Sequence, residues 1–293
     1  MTIPISNFSR RGLLLSGGAL ALAGCKPKPG PQAPSSATSS GPATVDAAVA
    51  GDWRSSQDRA RDKWRHPAQS LAFWGVKPGV TVVEFWPGAG WYTDIIAPFL
   101  AATGGTYYAA DIQATTPAAV ALAGAMRSKA EANPKLYGQI HFTEFGPTSG
   151  PVAPAGSADV VLFLRNVHDW MAGDIAEKAF HDAFLALKPG GVLGIEEHRA
   201  PAGGVQDILA KTGYIQEAYV KQMAKEAGFT FEKASEINAN PKDDHNHPFG
   251  VWTLPPTRRS APAGKLPNPS FDHAKYDAIG ESDRMTLRFV KPG

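Results

Sequence analysis

The chain has 293 residues, 43% of them hydrophobic and 19% charged, which is enough for one sizeable core. A net charge of +2, with no basic run interleaved with aromatics, argues against nucleic acid as a partner. A single cysteine, Cys25, excludes a disulfide scaffold.

The first 25 residues read as an export segment rather than as part of a fold. Ser9-Arg10-Arg11-Gly12-Leu13-Leu14 resembles a twin-arginine signal. The apolar stretch from Gly12 to Ala23 is too short to span a bilayer as a stable helix but suits a signal-peptide core. Leu22-Ala23-Gly24-Cys25 resembles a lipobox, which makes Cys25 the expected lipidation site and the lipid chains the contact with the membrane. The expected location is the periplasmic side of a bacterial envelope. Residues 26–50 are mostly Pro, Ser, Ala, Gly and Thr, too poor in apolar surface to offset their ordering entropy, and read as a flexible tether. The folded domain is expected over 51–293.

Ser55 to Trp74 is expected to be one helix, capped by Ser55 or Ser56, with an Arg/Asp alternation that reads as a solvated face. After the Lys77-Pro78-Gly79 turn, Val80 to Phe85 is a continuous apolar and β-branched run, the pattern of a buried parallel strand with Glu84 near its end. Gly88-Ala89-Gly90 then turns the backbone into a helix beginning near Trp91, so bare N–H groups and the helix dipole face whatever sits on the turn. A second strand, Gly105 to Ala110, ends at Asp111, about 20 residues beyond Gly90, where a ribose ligand belongs in a Rossmann-like unit.

Further on, Pro117 to Ala132 reads as a helix stopped by Asn133-Pro134, Gln139 to Glu144 as a third strand and Ala158 to Leu164 as a fourth. Asp174 to Leu187 is amphipathic at helical spacing. Val192 to Glu196 reads as a fifth strand after Leu187-Lys188-Pro189-Gly190-Gly191. A helix over Thr212–Ala227, capped by Thr212, and strands over Phe229–Glu236 and Met285–Val290 complete the pattern. Strands alternating with helices mean a doubly wound parallel sheet. The proline-rich stretch 238–283 is too long for an ordinary connection and reads as a cover over the active-site edge.

The acidic end of the first strand with its glycine turn, Asp111 after the second, and Leu-Lys-Pro-Gly-Gly before the fifth together resemble class I S-adenosylmethionine-dependent methyltransferases, and within them a group of exported bacterial proteins. The resemblance implies a Rossmann-like, mostly parallel seven-stranded sheet with helices on both faces and the last strand antiparallel. It implies S-adenosylmethionine as cofactor and a small-molecule acceptor. Glu84, Gly88, Gly90, Asp111 and Asn166 become the cofactor-binding residues. Trp86 stands where the family has the first glycine of its loop. Its indole either points into the core or fills the space of the methionine moiety. The first is expected, with Pro87 holding Trp86 extended.

Methyl transfer asks for a base near neutral pKa and for positioning groups. His168, just after the fourth strand, is the expected base, oriented by Asp169 or Glu197, with His198 beside it at the end of the fifth. His245 and His247 are expected to converge on the same cleft. Asp244, His245, His247, His168 and Glu197 could ligate a divalent ion, but the His245-Asn246-His247 spacing is no strong metal signature, and the expected site has no metal. No tyrosine is followed four residues later by lysine, which weighs against a short-chain dehydrogenase; no Gly-x-Ser-x-Gly or Walker lysine appears. The second reading is a binding protein without turnover on the same scaffold.

Overall fold

A computed structural model describes residues 41–293. The signal segment, Cys25 and most of the expected tether lie outside the described residues. The tether is shorter than expected at its inner end. Thr44 caps a helix, α1 (Val45–Val49), whose Ala48 is fully buried against the domain core.

Three short helices follow in place of the single helix expected over 55–74: α2 (Ser56–Arg59), α3 (Asp62–Arg65) and α4 (Pro67–Trp74). His66 is the break, with a left-handed backbone (φ 39°) in front of Pro67, which cannot continue a helix through its own nitrogen. The strands and helices then alternate: β1 (Thr81–Phe85), α5 (Thr93–Thr103), β2 (Thr106–Ile112), α6 (Pro117–Ala132), α7 (Pro134–Tyr137), β3 (Ile140–Phe145) and β4 (Ala158–Leu164). Next come α8 (Val167–Ala172), α9 (Ala176–Ala186), β5 (Leu187–His198), α10 (Glu217–Glu226), β6 (Thr230–Ser235), α11 (Ala274–Ile279) and β7 (Arg284–Val290).

The seven strands form one sheet in the order β3-β2-β1-β4-β5-β7-β6. Every neighbouring pair is parallel except those of β7, which runs antiparallel to both β5 and β6. The central strands are covered on both faces, which is why they read as unbroken apolar runs. On one face Val83, Phe85, Phe163 and Ile195 pack against α8, α9 and α10. On the other, Val82, Leu162 and Val192 pack against α4, α5 and α6. β1 and β4 are neighbours at the point where the strand order reverses, and a crevice opens there beyond their carboxyl ends.

Two expectations shift in this part of the chain. β5 is longer than Val192–Glu196 because its ladder with β7 continues to His198 opposite Arg284. Thr212 does not cap α10. The Ile215 N–H donates to the His198 carbonyl at 2.9 Å, extending the end of β5, and the helix starts only at Glu217.

The stretch between β6 and β7 is ordered by its own polar network. Asn238 donates to Ser70 and Thr286, both at 3.0 Å, and Asn240 donates to the Ile279 and Glu281 carbonyls at 3.0 and 2.6 Å. A short 3₁₀ helix (Gly250–Thr253) and α11 lie within it.

Candidate active site

The crevice holds two adjoining chambers that share Arg65 and Arg165 as a common wall. The first, of about 270 Å³, is bordered by Glu84, Trp86, Gly88 and Asn166 from the sheet and by Asp58 and Arg61 from the helices before β1. The second, of about 190 Å³, is bordered by His168, Asp169, His198 and Ser282, with Trp252, Pro255 and Pro256 from the β6–β7 stretch as its cover.

In the first chamber Glu84 points away from solvent, 3% exposed, on the α5 face of the sheet. One carboxylate oxygen accepts from Thr93 Oγ1 at 3.2 Å and from the Tyr107 hydroxyl. The other has no partner among the described residues. Burial raises the Glu84 pKa to about 7, against the pull of those two hydroxyls. Gly88 has φ 58° and open space where a Cβ would stand, so ligand can approach its backbone closely. Gly90 differs: a Cβ there would lie 2.2 Å from Met126 Sδ, so its small size serves the packing of α6 rather than a cofactor. Asn166 spends its amide on the loop, donating to the Phe85 and Trp86 carbonyls at 3.0 and 3.2 Å, and so positions the turn while bordering the chamber.

Trp86 is not extended as Pro87 led us to expect; its φ is 46°. Strict alternation would put residue 86 on the side of Glu84, in the chamber. The left-handed backbone turns the ring to the side of Phe85 instead. There Nε1 donates to the Phe145 carbonyl at 2.9 Å, and the ring meets Phe145 and Trp170 at 6.2 and 5.8 Å between centroids. The expectation that the indole packs into the core therefore holds, by a different backbone route.

Asp111 ends β2 as expected but does not border the chamber. It is 5% exposed, accepts the Ile112 N–H at 2.8 Å, and has its pKa raised by burial, with Arg127 of α6 nearby as an opposing charge. The placement of α6 over this end of the sheet removes it from the lining.

In the second chamber the adjacent acids of β5 take opposite faces. Glu196 accepts from Arg165, Arg284 and Tyr92 at 3.1, 3.0 and 3.0 Å. Glu197, fully buried, accepts the backbone N–H groups of Val167 (2.7 Å), His168 (3.4 Å) and His198 (2.8 Å) and the Nδ1–H of His168 at 2.9 Å. Glu197 rather than Asp169 is thus the group that orients His168. Its carboxylate fixes the ring proton on Nδ1 and turns Nε2 toward the chamber, with Asp169 3.5 Å away at its half-exposed mouth. Burial works against an imidazolium at His168, but the Glu197 charge, its hydrogen bond and the Asp169 charge together outweigh it and raise the pKa.

His198 lies 5.2 Å from His168 between ring centroids and shares a 2.5 Å hydrogen bond with the Ser282 hydroxyl through Nδ1. Burial, then the His168 charge, then three arginines depress its pKa well below 6.5, so it is neutral beside a more basic partner.

His245 and His247 do not join this pair. They surround Tyr214 and Asp243, with His247 Nε2 2.7 Å from Asp243 and the Tyr214 hydroxyl donating to the same carboxylate at 2.7 Å. Among the described residues, two groups of side chains bring ligand atoms within 4.8 Å of one another: His168, Glu197 and His198, and Asp243, Asp244 and His247. In the first, Glu197 is already saturated by N–H donors; in the second, Asp243 is spent on His247, Tyr214 and two backbone amides. Neither donor set suits a metal ion as it stands.

The arginines were missed by sequence reasoning. Arg65, within the stretch read as a solvated face, is 3% exposed, and Arg54, just before that stretch, is 1% exposed. The Trp91 ring lies between their guanidiniums, 5.1 and 4.9 Å from its centroid. The available signal was Trp91 itself, a large exposed-looking aromatic one residue past the glycine turn.

No protein-family model matches the chain, and no curated protein matches it. Solved structures do. The [4+2]-cyclase SpnF is 18% identical with a TM-score of 0.53, over 83% of this chain and 84% of that one. A chain of a complex containing the Haloferax volcanii Trm112 methyltransferase activator is 16% identical with a TM-score of 0.50, over 85% and 98%. A SAM dependent methyltransferase from Aquifex aeolicus is 18% identical with a TM-score of 0.48, over 61% and 87%. The sheet order and its antiparallel β7 are those of the Rossmann-like methyltransferase fold. At these identities the likeness shows the fold alone, and a cyclase among the neighbours shows that this fold does not dictate one reaction.

Proposed function

We propose that the protein transfers a methyl group from S-adenosylmethionine to a small acceptor. The observation that carries this reading is the pair of joined chambers at the β1/β4 switch point: one offers a bare glycine turn and a buried carboxylate, the other a carboxylate-oriented imidazole. S-adenosylmethionine supplies an electrophilic methyl on a sulfonium. Gly88 admits its methionine moiety, and the unpartnered oxygen of Glu84 receives its ammonium. His168 Nε2 takes the proton that the acceptor loses, and the Glu197 carboxylate stabilises the imidazolium that results. A binding protein without turnover is the second reading, favoured by Asp111 standing outside the lining.

Glu84→Gln tests the cofactor site. A charge-assisted bond contributes about 1.5–3 kcal/mol, so affinity for S-adenosylmethionine should fall at least about tenfold in calorimetry at pH 8. The parent should bind more tightly as pH rises through about 7, because only the ionised carboxyl pairs with an ammonium. Ionisation of Glu84 also opposes folding, so its contribution to stability is lost as pH rises from its ordinary 4.5 through about 7, and the variant should lack that loss. Equal affinity in parent and variant across this pH range would remove Glu84 from the site.

We further propose that the protein is exported folded through the twin-arginine motif at Arg10-Arg11 and anchored at Cys25. Among the described residues no helix is long and apolar enough to cross a membrane. In this proposal acyl chains on Cys25 supply the anchor, at about 0.8 kcal/mol per buried methylene. Cys25→Ser should move the protein to the soluble fraction or leave the signal uncleaved; an unchanged membrane fraction with unchanged processing speaks against lipidation.

A further inference from the structure

We propose that the acceptor chamber selects a small carboxylate, seated by Arg65 and Arg165 with its flat body against Trp252; this names the acceptor class and rests on the methyl-transfer reading above. Four guanidiniums crowd this end of the sheet around two buried carboxylates. Glu281 is shared by Arg61 (2.9 Å), Arg65 (2.8 Å) and Arg284 (2.9 Å), and Glu196 by Arg165 and Arg284. Arg65 spends only its Nε on Glu281, and Arg165 only its Nη1 on Glu196. Among the described residues no carboxylate or carbonyl accepts from the two Nη atoms of Arg65 or from Nε and Nη2 of Arg165.

Of the acids near the wall, Glu84 in the first chamber keeps one unpartnered oxygen and feels the Arg165 charge, and in the methyl-transfer reading it takes the cofactor ammonium; the others are engaged elsewhere. Asp58 lies 3.9 Å from Arg61 at the rim, Asp169 stands by His168, and Glu197 is saturated. These free Arg65 and Arg165 donors border the chambers, and a planar guanidinium fork matches a carboxylate. Burial and then the Arg165 charge pull the Arg65 pKa down to about 9, whereas Arg165 is pushed up because Glu196, Glu281 and Tyr92 together outweigh its burial. Arg165 is also held in a left-handed backbone (φ 63°), a strained placement that aims its side chain from the end of β4 into the wall.

Across from the arginines the chamber is apolar and flat. The Trp252 ring lies 5.8 Å from the His168 ring between centroids, with Val251, Pro255 and Pro256 beside it. A volume of about 190 Å³ suits a single-ring acid and excludes a nucleotide or an oligosaccharide. The Trp252 and His168 rings touch edge to face, and the Arg259 guanidinium lies over Trp252 at 4.7 Å, so a carboxylate on the arginine wall leaves the remainder of such a molecule alongside this pair, facing His168 Nε2, where the proton must leave.

The test uses benzoate and acetate as probes, with benzamide and acetamide as neutral isosteres, titrated calorimetrically into the full chain with and without saturating S-adenosylhomocysteine. Each acid should bind at least about tenfold more tightly than its amide, in the presence of S-adenosylhomocysteine as in its absence. Arg165→Lys keeps the charge beside Glu196 but loses the fork, and should shrink the preference. Acids that bind no better than amides, while S-adenosylhomocysteine binds, overturn the acceptor class and leave methyl transfer standing. Acids displaced by S-adenosylhomocysteine also overturn it, because the arginines then hold the cofactor's own carboxylate. Acids that bind while S-adenosylhomocysteine does not would support the anion seat and remove the methyl-transfer reading.

Discussion

Glu197→Gln is expected to leave the protein folded and to cut methyl transfer about 10²–10⁴-fold, the range for loss of a correctly oriented general base. The carboxylate accepts at both oxygens: Val167 and His168 amides on one, His168 Nδ1–H and the His198 amide on the other. A glutamine can accept at one position only. Two backbone amides hold one oxygen and a single amide holds the other, so the new NH₂ group takes the His168 side; the His198 amide loses its acceptor and the ring proton moves to Nε2. The base nitrogen is then protonated in the neutral ring.

The pH dependence moves with it. His168 has its pKa raised by Glu197, so its contribution to stability is fully present below its ordinary 6.5 and is lost as pH rises through the higher folded value. In Glu197→Gln that loss should vanish, and imidazole NMR should show His168 titrating at lower pH with the proton on the other nitrogen when neutral. Glu197→Ala should be much worse. It strands buried donors and an unpaired imidazolium, at a cost of about 3–5 kcal/mol against a typical total of about 5–15. An unchanged His168 titration in Glu197→Gln would mean that the 2.9 Å contact does not set the base.

Trp86→Gly is the second large effect. The ring fills space between Phe145 and Trp170 and satisfies the Phe145 carbonyl. Removing a packed aromatic costs about 3–5 kcal/mol, and relief of a positive φ at a non-glycine residue returns about 1. A net loss of about 2–4 kcal/mol should appear as a lower urea midpoint at unchanged slope. Cofactor affinity should not improve, because residue 86 borders the chamber but its ring is held on the Phe85 side by Phe145 and Trp170. A variant that binds S-adenosylmethionine more tightly than its parent would place the indole in the ligand's space.

Much of the fold was legible because the physics that makes a central strand also marks it in sequence. β4 matches its expected bounds, Ala158–Leu164, since both faces are buried and every position is under the same demand. His168 and Glu197 were legible as polar residues at strand ends, where ligands bind in such sheets. Their mutual geometry was not, because Asp169 is the nearer residue in sequence and Glu197 comes from the neighbouring strand.

The arginine wall was invisible for a related reason. Charges spaced along a helix usually face water, and only the docking of α3 against β7 and Glu281 shows that Arg65 does not. Asp111 and Gly90 carry the expected spacing, yet tertiary placement of α6, with Met126 against Gly90, decides what they touch. Trp86 shows the limit of local rules. The following proline predicts extended backbone, and the pull of Phe145 and Trp170 on a large aromatic ring overrides it.

The most direct measurement is a calorimetric titration of the full chain with S-adenosylmethionine. Saturable binding at one site is expected, with Kd between about 1 μM and 1 mM, weakened in Glu84→Gln and no tighter in Trp86→Gly. No binding by the parent at millimolar cofactor, or binding that appears only once Trp86 is removed, would contradict it and leave a ligand-binding scaffold with no methyl donor beside His168.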